Sequence, residues 1–342
     1  MRVLCYGAGA IGTLVGGRLA LAGNETALVG RRGHVDAVNQ LGLEMRLPSG
    51  SERAFPKAYP SLAQALADGF APELVILTVK GYDTPAAVED LQRRLLPGTP
   101  VLTLQNGVGN EELLAGTLGR DNTLSGCITL SVGLPGPGRV ELYSTKGGIG
   151  LAPLSPGGTI TATASLLSRA GFTVKIYPDY RGLKWSKLLL NILGNAVSAV
   201  LDLPPREVFS NRYLCGLEKA AFVEALAVMK AQGLHPVDLP GYPVRLLVFL
   251  FRFLPPALLS SLLAGRLGSG RDGKMPSLWI DLQKGRSRSE AAQLNGAVVA
   301  RGRDLAVATP ANARILAALT AILADPSRRE EYRHNHGAFS HS

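Results

Sequence analysis

The hexapeptide Gly7-Ala8-Gly9-Ala10-Ile11-Gly12 restricts the fold of this chain more than any other stretch, because of what stands on either side of it. A short apolar run, Val3 to Tyr6, leads into it and reads as a buried strand. A helical pattern through Leu14, Leu19 and Leu21 follows and stops at Gly23-Asn24. A second strand, Thr26 to Val29, closes on Gly30-Arg31-Arg32. Strand, glycine turn, helix and strand make the opening unit of a doubly wound α/β sheet. Each glycine answers a separate physical need. Gly7 makes the tight turn, Gly9 lets a pyrophosphate approach the backbone, and Gly12 lets helix and strand pack closely. The helix N-terminus adds N–H groups and a positive dipole end for the phosphates. Gly7, Ala8, Gly9, Ala10, Ile11 and Gly12 are therefore the expected dinucleotide cradle.

The end of the second strand sets which dinucleotide is expected. A cofactor lacking a 2′-phosphate is usually held by an Asp or Glu about 20 residues beyond the glycines. No carboxylate stands between Glu25 and Asp36, and Arg31 and Arg32 occupy that region instead. A guanidinium pairs with a 2′-phosphate through two parallel charge-assisted hydrogen bonds. The expected cofactor is NADP(H), with Arg31 on its 2′-phosphate; ordinary solvated surface arginines are the alternative.

Further along, a variable stretch with Pro48, Gly50, Pro56 and Pro60 precedes a helical pattern near Leu62 to Leu66. Leu74 to Val79 is a strongly apolar strand ending at Lys80, and Thr84 to Leu95 is a helix closed by Pro97-Gly98. Val101 to Leu104 is the next strand, ending at Gln105-Asn106-Gly107. Continuous apolar strands alternating with helices imply a parallel sheet covered on both faces. Leu124 to Val132, Arg139 to Tyr143 and Gly148 to Leu151 read as further strands, including an antiparallel extension. A helix at Leu166 to Gly171 and a strand at Thr173 to Ile176 complete the sheet.

From about Tyr180 strand signals stop. Helical periodicity runs through Trp185 to Leu201, Leu214 to Gln232, Val244 to Leu254, Leu278 to Lys284, Ser289 to Leu305 and Ala311 to Leu323. From Asp325 the chain reads as a frayed polar tail. The boundary falls near Pro178, giving 1–178 as a nucleotide-binding domain and 179–342 as a helical substrate and catalytic domain.

Composition removes several other classes. Hydrophobic content of 46% and charged content of 18% suit well-cored globular domains and exclude disorder. Cys5, Cys127 and Cys215 lie far apart, and neither they nor the five histidines show metal spacing. No metal site or disulfide framework is expected, and a reducing, cytoplasmic compartment is. The glycines behind Arg2 argue against a signal peptide. Tyr242 to Gly265 is apolar, but Arg245 and Arg252 interrupt it and Pro255-Pro256 break it. No run reaches the ~18 to 20 residues a membrane span needs, so two amphipathic helices over a pocket or subunit interface are expected. Of the net charge of +10, an excess of 14 Lys/Arg over 7 Asp/Glu sits between Arg245 and Arg333. Without aromatic interleaving or a known module, nucleic acid is not the expected partner. A basic cleft for an anionic cofactor and a small acidic substrate is. A homodimer is compatible with the sequence, which carries no signal of oligomeric state.

Ligands of an open doubly wound sheet bind beyond the carboxyl ends of its strands. Three polar features end strands here: the glycine turn, Lys80 and Asn106, although Asn106-Gly107 reads equally well as a simple turn. A second constellation sits on a helix, where Lys187, Asn191 and Asn195 at i, i+4 and i+8 share one face among leucines. Asn is a poor helix-interior residue and an unpaired buried amide or ammonium is costly. The stripe therefore marks a polar cleft or a structural hydrogen-bond seam. A third segment carries Ser277, Asp281 and Glu290. By itself it says that one helix stops at Gly285 and another starts near Ser289, where Glu290 favours the dipole.

Taken in order, these pieces resemble the ketopantoate reductase family, the 2-dehydropantoate 2-reductases, over almost the full chain. They are GAGAIG, the arginine after the second strand, Val79-Lys80 before a helix, QNGVGNEE from Gln105, WSKLLLNILGNAVSA from Trp185, then Ser277, GRSRSE, LNGAVV and TPAN. The resemblance implies a Rossmann domain followed by an all-helical domain of the 6-phosphogluconate dehydrogenase C-terminal type. It implies NADPH-dependent reduction of 2-dehydropantoate to pantoate, on the route to pantothenate and coenzyme A. Lys187 would be the catalytic acid, with Asn191 and Asn195 on the substrate's polar groups and Ser277 in contact with substrate. Asn106 would touch cofactor and substrate, Lys80 and Val132 would join the cofactor site, and Glu290 would meet substrate, cofactor carboxamide or Lys187. The chemistry agrees, because an alkoxide forming from a ketone needs a proton and a positive charge beside it, and a lysine ammonium supplies both.

The chain departs from the family pattern after Asn195, where Ala196 replaces the usual Pro and Pro205-Arg206 stands where Asn-Gly helps to hold substrate. The spacing from Gly285 to Glu290 is longer than usual, and the apolar segment around 242–270 resembles an insertion. A paralogue reducing a different branched or bulkier 2-keto acid, in a pocket lined by that segment, is the alternative reading; a non-catalytic NADPH sensor is another.

Overall fold

The structure is a computed structural model that describes residues 1–155, 160–267 and 275–339. Two compact units form. The first comprises Met1–Gln105, Gly109–Lys184 and Leu239–Tyr242; the second comprises Asn106–Val108, Trp185–Asp238 and Pro243–Ser342.

Among its described residues the first unit holds β1 (Arg2–Tyr6), β2 (Glu25–Val29), β3 (Leu43–Leu47), β4 (Gly50–Ala54), β5 (Lys57–Tyr59), β6 (Leu74–Leu77), β7 (Val101–Thr103), β8 (Thr123–Ile128), β9 (Val132–Gly136), β10 (Arg139–Leu142), β11 (Ile149–Pro153) and β12 (Val174–Ile176). Its helices are α1 (Ala10–Leu21), α2 (Arg32–Leu41), α3 (Leu62–Ala67), α4 (Thr84–Arg94), α5 (Asn110–Leu118) and α6 (Ile160–Arg169). The main sheet runs β12-β11-β8-β7-β6-β1-β2-β5. From β5 to β8 every pairing is parallel, which is the doubly wound order, and β1 between β2 and β6 marks the switch point. β11 joins β8 antiparallel, the extension expected from the sequence. The apolar runs divide between two cores by strand alternation: Val3, Cys5, Leu74 and Ile76 face one, Leu4, Val75 and Leu77 the other.

A second sheet, β4-β3-β10-β9, corrects the sequence reading in two places. The proline-marked stretch is built of strands, because its prolines sit outside them: Pro48 lies between β3 and β4, and Pro56 and Pro60 flank β5. Leu43, Met45 and Leu47 are buried while Glu44 and Arg46 between them are not, a half-buried alternation. The run Leu124 to Val132 is two strands rather than one, since β8 ends at Ile128 and Val132 opens β9.

The second unit is helical throughout its described residues. α7 (Tyr180–Ile192) enters it from the first, followed by α8 (Ala196–Leu201), α9 (Pro205–Ser210), α10 (Arg212–Ala231), α11 (Val244–Phe253), α12 (Pro256–Leu267), α13 (Ser277–Gln283), α14 (Asn295–Asp304), α15 (Pro310–Ala324) and α16 (Arg329–Tyr332). α10 buries Leu214, Leu217, Ala221, Phe222, Ala225 and Val228. Its Glu224 carboxylate accepts from the Ala311 and Asn312 amides at 2.7 and 2.9 Å and so caps α15.

Three helical expectations are corrected. The helix expected over Trp185 to Leu201 begins at Tyr180 and is broken at Gly194, whose φ of +58° lies in the left-handed region. Ser289 to Leu305 divides into a short 3-10 turn, Glu290–Gln293, and α14. The tail is packed over its described residues, 325–339, because its charges find a partner: Asp202, at the end of α8, pairs with Arg329 at 3.5 Å and Arg333 at 3.1 Å. The His334 amide donates to Leu201 O at 2.8 Å, and Phe339 is buried. The apolar segment around 242–270 forms α11 and α12, split at Leu254-Pro255, and its residues 268–270 lie outside the described residues. Among the described residues no helix is long and apolar enough to cross a membrane.

Candidate active site

The cofactor cradle grows out of β1. The amides of Gly7 and Ala8 both donate to Val29 O, at 3.0 and 2.8 Å, which folds the turn over the end of β2. The Thr78 hydroxyl, just past β6, donates to Gly7 O at 2.7 Å. A Cβ on Gly12 would stand 2.3 Å from Gly7 O and 2.4 Å from Thr78 Oγ1, so only glycine lets α1 descend onto the turn. Gly9, the N-cap of α1, is the opposite case: a Cβ there would meet nothing within 4 Å. The backbone is open where a pyrophosphate would approach and packed elsewhere, which fits a dinucleotide.

The remaining residues assigned to the cofactor site all lie in the first unit. Arg31 is the exposed N-cap of α2, with Arg32 exposed beside it. Lys80 is half-buried and caps the short 3-10 turn Gly81–Asp83 after β6. Val132 is half-buried at the start of β9.

Asn106 belongs to the second unit together with Lys187, Asn191, Asn195, Ser277 and Glu290. Its Oδ1 accepts from Asn191 Nδ2 at 3.2 Å. Gly107 fits against the Glu290–Gln293 turn, where a Cβ would come within 2.6 Å of the Gln293 backbone oxygen. Lys187 is half-buried, one turn before Asn191 on the same face of α7.

Asn195 does not continue that face as an uninterrupted helix, since the break at Gly194 turns the chain. Its Nδ2 donates to Asn191 O at 3.0 Å and to Ser277 Oγ at 3.4 Å, and its Oδ1 accepts from the Leu278 amide at 3.1 Å. Asn195 thereby caps α13 from outside and holds Ser277 in place. Asn106, Asn191, Asn195 and Ser277 are linked in one chain of hydrogen bonds. Glu290 is 3% exposed at the start of its 3-10 turn, where Ser289 Oγ accepts from the Ala291 amide.

Three participants escaped the sequence reading. Glu218, 1% exposed on α10, accepts the Gly194 amide at 3.0 Å and stabilises the break between Asn191 and Asn195. Burial pushes its carboxyl up to about 8 against the opposing pull of that amide. Lys184 and Glu111 form a buried ion pair at 2.9 Å in the first unit. The one available signal was a second lysine a single turn before Lys187, inside an otherwise apolar helix.

A doubly wound sheet with an open glycine cradle, and a helical unit carrying a lysine and two asparagines, define a nicotinamide-type oxidoreductase. Residues 3–156 match the ketopantoate reductase PanE/ApbA family, and residues 179–323 match the C-terminal domain of that family. The chain belongs to the ketopantoate reductase family. A 2-dehydropantoate 2-reductase of Halobacterium salinarum is 31% identical over 324 residues, covering 91% of this chain and 95% of that protein. The crystal structure of a PanE/ApbA family ketopantoate reductase from Ralstonia eutropha JMP134 superposes with a TM-score of 0.79 at 28% identity, covering 96% of this chain and all of that one. D-mandelate dehydrogenase, solved with NADH and anilino(oxo)acetate, shares the fold with a TM-score of 0.79 at 22% identity, over 96% of this chain and 99% of its own.

Proposed function

We propose that this protein reduces the keto group of 2-dehydropantoate, using NADPH, to give pantoate for pantothenate synthesis. The observation that carries the reading is the Asn191–Asn106 hydrogen bond one turn beyond Lys187, which gathers a cation and two amides on one face. NADPH, when bound, supplies the hydride. The residues of the cradle fit it: Gly9 leaves the backbone open, and Arg31 at the N-cap of α2 suits a 2′-phosphate. Lys80 and Val132 complete that site, and residues 1–178 serve as the nucleotide-binding domain, with 179–342 as the catalytic one.

Lys187 Nζ holds the proton that passes to the ketone oxygen, and its charge opposes the negative charge building there. Asn191, Asn195 and Ser277 hold the substrate's carboxylate and hydroxyl groups, while Asn106 meets substrate and cofactor. Glu290 is a buried carboxylate that meets substrate, the cofactor carboxamide or Lys187. Cys5, Cys127 and Cys215 are buried and none is in a disulfide, which suits a reducing cytoplasm.

A second reading, reduction of another 2-keto acid, has its own support. Ala196, 1% exposed, and Pro205, packed within 3.1 Å of the Cβ position of Gly194, carry hydrocarbon side chains with no hydrogen-bonding group to offer substrate. Following NADPH oxidation with 2-dehydropantoate and a panel of 2-keto acids separates the two. Turnover only with other keto acids removes 2-dehydropantoate as the substrate, and NADPH binding without turnover removes catalysis.

A further inference from the structure

The ammonium of Lys184 is 2% exposed and its partner Glu111 is 1% exposed, an ion pair with almost no contact with water. The same nitrogen donates to Gln105 O at 2.6 Å and to Gly126 O at 3.3 Å. Glu111 Oε1 also accepts from the Ser125 hydroxyl at 2.8 Å. Gln105 is held just as fully: its Nε2 donates to Val79 O at 2.9 Å and to Thr84 Oγ1 at 2.8 Å, and its Oε1 accepts from Thr103 Oγ1 at 3.0 Å. One buried polar cluster thus joins the residues beyond β6 and β7, and the middle of β8, to the first turns of α4 and α5.

Replacing a buried ion pair by neutral groups of similar size is often neutral for stability, because desolvation offsets the attraction. What this cluster controls is the direction of two peptide groups. Gln105 O belongs to the peptide that leads into Asn106, and Val79 O belongs to the peptide that leads into Lys80. Fixing each carbonyl fixes the plane of its peptide, and with it the direction in which the next residue leaves the sheet. Lys184 also stands one turn before Lys187 on α7.

We propose that Lys184, with Glu111 as its counter-ion, is a positioning residue for the reduction, holding the Gln105–Asn106 peptide and, through Gln105, the Val79–Lys80 peptide. This rests on the function proposed above for Asn106 and Lys80. A displacement of about 1 Å at reacting groups costs on the order of 100-fold in rate, so loss of this restraint appears in kcat.

Removing Lys184 alone would strand the Glu111 carboxylate in the interior, so the informative variant is Lys184→Met/Glu111→Gln, which removes both charges. We expect its Tm to stay near that of the wild type, kcat to fall about 10- to 100-fold with a smaller change in KM, and amide hydrogen exchange at residues 105–108 to accelerate. Lys184→Arg keeps Glu111 paired but moves the donors away from Gln105 O, and it serves if the double variant does not fold; the same losses are expected. Wild-type kcat together with wild-type exchange at 105–108, in a folded variant, overturns the proposal. If the wild type reduces no keto acid, the functional reading fails, and exchange at 105–108 decides the positioning role alone: acceleration supports it and no change overturns it.

Discussion

The side-chain amide of Asn191 donates to the side-chain oxygen of Asn106 at 3.2 Å, joining α7 to a residue three positions beyond β7 and 85 positions earlier in the chain. Because its oxygen faces Asn191, Asn106 turns its own amide nitrogen the other way. Asn106 is the residue we assign to contact with both ligands. Asn106→Asp keeps an acceptor for Asn191 but replaces the donor, and should lower kcat/KM about 10- to 100-fold, the worth of a hydrogen bond to a charged group. An unchanged kcat/KM would remove Asn106 from ligand contact.

Lys187→Ala should lower kcat by at least ~100-fold, in the range of a lost general acid, with NADPH affinity little altered. Steady-state kinetics beside a binding titration check this. A near-normal kcat would take the proton-donor role away from Lys187.

Arg31→Ala should weaken NADPH binding by about 10- to 100-fold and NADH binding far less, since only NADPH offers a 2′-phosphate for charge-assisted hydrogen bonds. Fluorescence titration with both cofactors makes the comparison. Equal losses would place recognition of the 2′-phosphate elsewhere.

Gly9→Ala and Gly12→Ala should part company. At Gly12 the added methyl meets Gly7 O and Thr78 Oγ1, and overpacking of that kind costs about 1–3 kcal/mol of stability. At Gly9 the methyl enters open space, so stability is retained while both cofactors lose affinity. Urea unfolding and cofactor titration of the two variants measure the contrast, and cofactor binding at wild-type strength in Gly9→Ala would contradict the assigned cradle.

Glu218 gives stability a pH dependence of known sign. Its folded carboxyl is pushed up to about 8 from an ordinary 4.5, so between those values the native state keeps a proton that the unfolded chain has lost. Stability contributed by this group is full below pH 4.5 and is lost as pH rises through about 8, by up to a few kcal/mol. Glu218→Gln, which keeps an acceptor for the Gly194 amide, should flatten the difference between unfolding at pH 5 and pH 8.5. A slope equal to that of the wild type would assign the dependence to other groups.

The legible parts of this molecule are those whose physics is local. β1 and β6 announce themselves as short continuous apolar runs, and the glycine turn between β1 and α1 follows from spacing alone. The strands β3, β4 and β5 were hidden because each is short and carries charge on its outward positions, with prolines close by. β3 and β4 pair locally as a hairpin, but the neighbours that place them and β5 in sheets are distant: β3 pairs with β10 and β5 with β2.

For the site, periodicity alone placed Lys187 and Asn191 on one face of a helix, and Arg31 at the end of the second strand. It did not show that Asn195 leaves that helix to cap α13. A single glycine within a helical pattern is tolerated, and Gly194 becomes left-handed where the Glu218 carboxyl on α10 receives its amide. Nor did it show Lys184 as anything but a helical lysine. Local sequence therefore determined the doubly wound start, the cradle, the NADP(H) expectation and the lysine–asparagine stripe, since backbone sterics and side-chain period act over a few residues. Only the tertiary structure decided which carboxylate buries Lys184, where α7 ends and what Asn106 and Asn195 bond to, because each of those choices satisfies a buried polar group with a partner from a distant segment.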